Sequence, residues 1–385
     1  MEGSYAETVF KFLSKNYSCV GFLKFNVIER VFRFLMTVNG ITKYKLRLIA
    51  PRSTGGRLTR FLLPLSQVFI LLYLFLIPML VSRRLRKKFD VCIACSWYAG
   101  LCALALKRIG IMKKVVYWCL DWFPSVPIAK VGIYNAILNN VIFPKVDRIV
   151  AERADACWNL VEAIMTARQT SNPNLFLDNN KVVNPPFAYG NSLEFQGERY
   201  SISFFGQIVP KRGLELAIDA ISHLKVKGRK IKLEIIGSPP SSEYGKYLRE
   251  YAKTRGVSDD VFFWGFRPEN EIPRIMKHSF AGLAIFQGQP DNSNYTFPAK
   301  VIKYLENGVP VIVTKDAFIA NEIITNSLGI AINGSLDDLI QAIEKLSSAE
   351  TMKFFQRKIS LYVKKMSRCE QLSKALEELL ESRAR

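Results

Sequence analysis

Two stretches of this 385-residue chain set cations beside the start of a helical pattern. In SISFFGQIVPKRGLELAID (residues 201–219) an apolar run ends at Gly206 and Gln207, a loop follows, and Lys211 and Arg212 stand directly before Gly213, where the helix opens. The unpaired amide hydrogens of a helix N-terminus attract anions, and two adjacent cations add to that attraction. Taken alone, such a pair also fits an ordinary solvated loop. In DNSNYTFPAKVIKYLENGVPVIVT (residues 291–314), Pro298 suits a first helical turn and Lys300 adds a fixed charge within it. The loop before it, with Asp291, Asn292, Ser293, Asn294, Tyr295 and Thr296, is dense in the hydrogen-bonding groups that sugars need. Two such segments opposite one another would neutralise a departing diphosphate.

The remaining chemical inventory narrows the choice. The two histidines, His223 and His278, fall in or at the end of helical patterns, away from strand ends, so neither a histidine-based hydrolytic triad nor a His-ligated metal leads. The chain has no Gly-rich Walker loop, no GxGxxG after the first strand and no Asp-x-Asp of the kind that holds a divalent ion in metal-dependent sugar transfer. The expectation is a site without metal or cofactor, in which protein charges hold the leaving anion.

Such charges need a rigid frame. The C-terminal half alternates apolar strands at 201–206, 232–237, 261–265, 281–286, 310–314 and 329–332 with helical patterns at 213–225, 242–255, 269–277 and 297–307. Short apolar strands between helices imply a parallel sheet covered on both faces, with its ligand at the strands' carboxyl ends. The N-terminal half is less regular: helix 5–14, strand 19–25, helix 27–37, strand 44–51, strand 89–96, helix 97–108, a strand in 113–124 whose end carries Asp121, helix 131–143, strand then helix over 150–169, and a short strand in 181–187. The polar, Gly-containing run 189–199 marks a domain boundary. The expected domains are 1–195 for an acceptor and 196–348 for a donor, with charged helices in 349–385 packing back on the junction.

Residues 61–81 form an apolar run with no charge inside it; Arg57 and Arg60 precede it, and Arg83, Arg84, Arg86, Lys87 and Lys88 follow. It is long enough to cross a bilayer. The strands on either side read as neighbours in one parallel sheet, which a bilayer cannot divide, so the run is read as a buried or interfacial helix dipping into one leaflet, with a true span as the alternative. Pro64 and Pro78 also disfavour a straight span. The formal charge of +21 draws anions. With no zinc-finger spacing or RNA-recognition signature, nucleic acid is not the expected partner, and cations beside an apolar run point to an anionic membrane surface. Seven cysteines scattered mostly in apolar segments suit a reducing compartment; Cys92 and Cys95 form a CxxC, but in a strand, where they face opposite sides. Residues 1–16 are polar-interrupted and read as an amphipathic helix, so no cleavable signal peptide is expected. The expected location is the cytoplasmic face of a membrane, peripheral or monotopic.

At the two cationic segments the chain resembles the group 1, family 4-like glycosyltransferases. The family's Gly-Arg and Lys-Gly pattern appears as Gly206-Gln207 and Arg212-Gly213, and its P-x-K-x-x-E-Y-x-x-x-G-x-PVI run is matched by Pro298, Lys300, Tyr304, Gly308, Pro310, Val311 and Ile312. The likeness covers the C-terminal half and, more faintly, LDWFP and ADACWNLVEAIMTAR. It implies an α/β fold of two Rossmann-like domains facing a cleft (GT-B), here with an apolar membrane-associating helix in the first. It further implies transfer of a hexosyl group, with retention and without metal, from a nucleotide-diphosphate sugar to a lipid-linked or polysaccharide acceptor. Arg212, Lys300 and Asp121 would carry catalysis. Gly206, Gln207, Lys211, Gly237, Phe266, Arg267, Asn292, Asn294, Tyr295, Thr296 and Lys303 would hold the donor. Three positions depart from the family: Gln207 replaces an arginine, Lys303 the ribose-binding glutamate, and a sugar-contacting glutamate falls at about Tyr295. Two other readings stay open, a catalytically degenerate membrane partner of the same fold and a metal-free nucleotide-sugar epimerase.

Overall fold

The structure, a computed structural model, describes residues 5–17, 19–26, 31–38, 41–49, 57–120, 136–171, 180–183, 199–237, 243–268, 270–287, 297–367 and 370–381. Residues 5–185 together with 369–385 make one compact unit, and residues 186–368 the other.

The first unit opens with helix α1 (Tyr5–Asn16) and three antiparallel strands, β1 (Cys19–Asn26), β2 (Val31–Val38) and β3 (Ile41–Ile49), in the order β1-β2-β3. Of the helix expected at 27–37, residues 31–37 are thus strand, and 27–30 lie outside the described residues. VFRFLMTV is mostly β-branched and aromatic, and a partner on each side favours the extended form over a helical spacing that the same residues also fit. The apolar run lies in a 29-residue helix, α2 (Arg57–Leu85). Strand β4 (Phe89–Ala94) follows but pairs in a different sheet from β3, so the premise that one sheet flanks the apolar run is corrected. Among the described residues no helix is long and apolar enough to cross a membrane.

From β4 the chain winds regularly through α3 (Trp97–Arg108), β5 (Met112–Cys119), a π-helical turn at Leu138–Ile142 leading into α4 (Phe143–Arg153), β6 (Ala156–Asn159), α5 (Glu162–Ser171) and β7 (Asn180–Val182). The helix expected at 131–143 therefore continues through 150–153, which had read as strand; 131–135 lie outside the described residues. The strands pair in parallel as β4-β5-β6-β7. A monotonic strand order with right-handed crossovers sets α3, α4 and α5 on one face. Behind that layer Arg168 and Asp147 form a buried ion pair at 2.8 Å, which Tyr117 Oη joins by donating to Asp147 at 2.6 Å. Cys92 and Cys95 are thiols whose pKa burial pushes up to about 12, which leaves them protonated and unreactive at neutral pH.

The second unit holds β8 (Ser201–Gly206), α6 (Leu214–Val226), β9 (Lys232–Gly237), α7 (Glu243–Thr254), β10 (Val261–Gly265), α8 (Ile272–Met276), β11 (Ser279–Ala284), α9 (Ala299–Glu306), β12 (Val311–Thr314), α10 (Ile319–Thr325), β13 (Gly329–Ile332), α11 (Leu336–Leu346) and α12 (Ala349–Ser367). Its six strands are parallel in the order β10-β9-β8-β11-β12-β13. Helix α12 stays with this unit, burying Met352, Phe355, Ile359 and Tyr362, while the last helix, α13 (Glu370–Glu381), returns to the first. There Leu372, Ala375, Leu376 and Leu379 join Val9 of α1 against Val116, Trp118, Ala156, Trp158 and Val183, on the sheet face opposite α3.

Candidate functional site

In the six-stranded sheet the winding reverses between β8 and β11. Right-handed crossovers put the helices that follow those two strands on opposite faces, and the gap at the strands' carboxyl ends is where such sheets bind ligands. Lys211 and Arg212 stand just before α6, and Lys300 lies in the first turn of α9.

Gly213 is the N-cap of α6 with φ +74, and a Cβ there would stand 2.6 Å from Ile285, so a glycine alone lets the loop after β8 lie against the segment after β11. Lys211 turns through the left-handed region as well (φ +67), and its carbonyl accepts from the Gln287 amide at 3.0 Å. Phe286 is pinned from the next strand, its amide donating to Thr314 Oγ1 at 3.2 Å. The ring of Phe286 then collects both cations. Arg212 Cζ lies 5.3 Å from its centroid and Lys300 Nζ 5.5 Å, while Lys300 Nζ also sits 4.3 Å over the Phe204 ring. Lys300 reaches back to the end of β8, where a Cβ at Gly206 would be 3.5 Å from its Cε.

Two aromatic faces provide attraction for a cation but no counter-charge. Desolvation first, and the Arg212 charge second, bring the Lys300 pKa down to about 7. A lysine in that state gains most from an incoming anion.

Tyr304 ties the two halves of the gap together. Its hydroxyl accepts from the Phe205 amide at 2.8 Å and donates to the Leu283 carbonyl at 3.0 Å, and burial raises its pKa. Its ring lies against Gly282, where any Cβ would come within 2.3 Å. Tyr304→Phe, which leaves both backbone groups buried without that partner, is expected to cost about 1–3 kcal/mol of stability in a denaturant titration.

The other expected site residues divide into three groups. Gly206 and Gly237 are paired across the ends of β8 and β9, so closely that a side chain at 237 would collide with the Gly206 carbonyl, and Gln207 is exposed beside them. Phe266 and Arg267 follow β10, two strands along the sheet; Phe266 is exposed, and the Arg267 Nε donates to the Trp264 carbonyl at 3.0 Å. Lys303, one turn beyond Lys300, forms a 2.8 Å ion pair with the buried Glu306. Asp121, Asn292, Asn294, Tyr295 and Thr296 lie outside the described residues. The rings of Phe204 and Phe286 and the hydroxyl of Thr314 were missed from sequence, because strand-end residues carry no local sign of what they face. Tyr304 stood in the matched motif and was the one that could have been found. Among the described residues no three His, Cys, Asp or Glu side chains gather as metal ligands.

Residues 189–366 match the family profile described as "Glycosyl transferases group 1", so the resemblance noted at the motifs holds over this half of the chain. A GDP-mannose-dependent alpha-(1-6)-phosphatidylinositol monomannoside mannosyltransferase of Mycobacterium tuberculosis is 26% identical over 154 residues, 39% of each chain, so the match spans about two fifths of that relative's length. Among solved structures, Anabaena Alr3699/HepE in complex with UDP and glucose superposes with a TM-score of 0.59 at 16% identity, over 86% of this chain and 84% of that one. A glycosyltransferase from Rickettsia africae gives 0.59 at 13% over 87% and 85%, and WaaG, a glycosyltransferase involved in lipopolysaccharide biosynthesis, 0.53 at 16% over 74% and 82%. The fold is therefore α/β with parallel sheets, as in GT-B glycosyltransferases.

Proposed function

We propose that this chain is a glycosyltransferase that moves a hexosyl group from a nucleotide-diphosphate sugar to a lipid-linked or polysaccharide acceptor, with retention and without a metal ion, at the cytoplasmic face of an anionic membrane. One observation carries the reading: Lys300 and Arg212 meet on the Phe286 ring at the switch point of the six-stranded sheet. The family match and the UDP-bound Anabaena structure support a nucleotide sugar as donor.

In this reading the donor's diphosphate lies between Arg212 and Lys300, with Lys211 at the rim and the α6 amides below. The bond from the anomeric carbon to the diphosphate oxygen breaks, and the acceptor hydroxyl attacks from the face that the diphosphate leaves. The acceptor's proton passes to the departing phosphate oxygen, so no protein base is required. Fixed cations in a partly desolvated site stabilise the growing negative charge without reorganising at the moment of reaction. Asp121 would orient the acceptor.

The Lys303–Glu306 pair favours a second reading, a fold-keeping partner without catalysis, because a cation engaged by its own helix occupies the place where the family resemblance puts a ribose-binding glutamate. A thermal-shift panel of UDP, GDP and their sugars separates the two. Stabilisation of several degrees by one nucleotide and its sugar, abolished in Arg212→Ala, is expected; no shift with any of them selects the second reading.

A further inference from the structure

The layer of helices over the first unit's sheet carries an outer face that its own core does not use. On α2, Leu72, Leu76 and Leu80 recur every fourth residue and are exposed, and Arg84 continues the stripe. The flanks of the same helix are packed: Tyr73 and Ser82 are buried, and Phe75 and Met79 lie against the cluster of Ala103, Leu106 and Val115. Helix α3 packs against both α2 and α4 and shows Tyr98, Leu101 and Arg108 outward at helical spacing. On the turn into α4 and on α4 itself Val141, Ile142, Lys145 and Ile149 are among the exposed residues.

Three adjacent helices thus repeat one pattern, large apolar groups followed or interrupted by cations. Neither α2 nor α3 contains an acidic residue, and Arg83, Arg84, Arg86, Lys87 and Lys88 are all exposed where α2 ends. On α4 the exposed Glu152 is paired with Arg148. An apolar face edged by exposed basic residues matches the boundary between acyl chains and anionic headgroups. It does not match the interior of a bilayer, since a helix seated on its own sheet along one side cannot be ringed by lipid.

We propose that the outer face of α2, α3 and α4 seats the chain flat on an anionic lipid surface, with Leu72, Leu76, Leu80 and Leu101 entering the headgroup boundary. This deepens the membrane side of the transferase reading and rests on it for the choice of partner.

The test is sedimentation of the full chain with vesicles of phosphatidylcholine alone or mixed with phosphatidylglycerol, alongside the nucleotide thermal shift. Binding to the mixed vesicles, weakened by salt, is expected. Leu72→Gln/Leu76→Gln/Leu80→Gln should lower it about tenfold or more while leaving the nucleotide shift in place. Leu101→Gln, on a different helix, should lower it about threefold, which keeps the proposal testable if the triple variant folds poorly. Absence of wild-type binding, or undiminished binding by the folded variants, overturns the proposal. So does light scattering that finds a dimer dissolved by these substitutions, which assigns the face to a second copy. Vesicle binding without any nucleotide shift upholds the docking face and sinks the transfer reading.

Discussion

Lys300→Met is expected to weaken binding of the nucleotide sugar about a hundredfold and at the same time to raise the melting temperature of the empty protein by about 5 °C. The two effects share a cause. The ammonium lies between the Phe204 and Phe286 rings beside Arg212, and the cost of holding charge there appears as a pKa near 7. Below pH 7 this lysine is charged in both the folded and the unfolded chain, and the folded state bears the whole penalty. Between pH 7 and its ordinary value of 10.5 the unfolded chain binds more protons, so wild-type stability rises with pH across that window. The gain in melting temperature should accordingly be larger at pH 6 than at pH 10. Donor affinity runs the other way, because the neutral amine attracts no diphosphate, and it should fall as pH rises above 7. Lys300→Arg, which keeps its charge, should flatten that limb. Calorimetric titration with the nucleotide sugar chosen by the thermal-shift panel reads the affinities, since its diphosphate does not titrate near neutrality. A variant that binds as tightly as wild type, or is less stable at pH 6, would remove Lys300 from the anion site.

Ending the chain at Ser367 is expected to abolish cooperative melting of the first unit while the second unit melts as before. Helix α13 supplies Leu372, Leu376 and Leu379 to the face of the β4–β7 sheet that holds Trp118 and Trp158. Full burial of a leucine stabilises by about 1.5–3 kcal/mol, so three of them approach the whole stability of an ordinary domain, about 5–15 kcal/mol. Polar contacts add direction: Lys114 Nζ donates to the Leu379 carbonyl at 2.5 Å, and Lys181 pairs with Glu378. The milder Leu376→Ala should cost about 2–5 kcal/mol. Scanning calorimetry with limited proteolysis distinguishes the units, and a truncated chain that keeps both transitions would show α13 to be dispensable.

The C-terminal half was legible because its parallel strands are short, largely apolar runs set between helical patterns, and β8, β9, β10 and β13 begin and end where those runs do. In the N-terminal half VFRFLMTV satisfies both a helical and a strand spacing, and only its pairing with β1 and β3 decides between them. The basic residues at 211 and 212 and the matched run from Pro298 pointed to the candidate site, and Arg212 and Lys300 do meet on one ring. Nothing local told that Phe286 would stand between the two cations, or that Lys303 would be held by Glu306.

By itself, then, the sequence determined the alternation of strands and helices in the second half and the presence of two cationic segments. Those properties follow from composition and short-range spacing, which operate before the chain folds. Tertiary structure alone decided that β8 and β11 are neighbours, that Lys300 loses its solvation, and that the last helix belongs to the first unit. Each of these depends on residues tens or hundreds of positions apart being brought out of water together, and burial of that kind is a property of the packed whole.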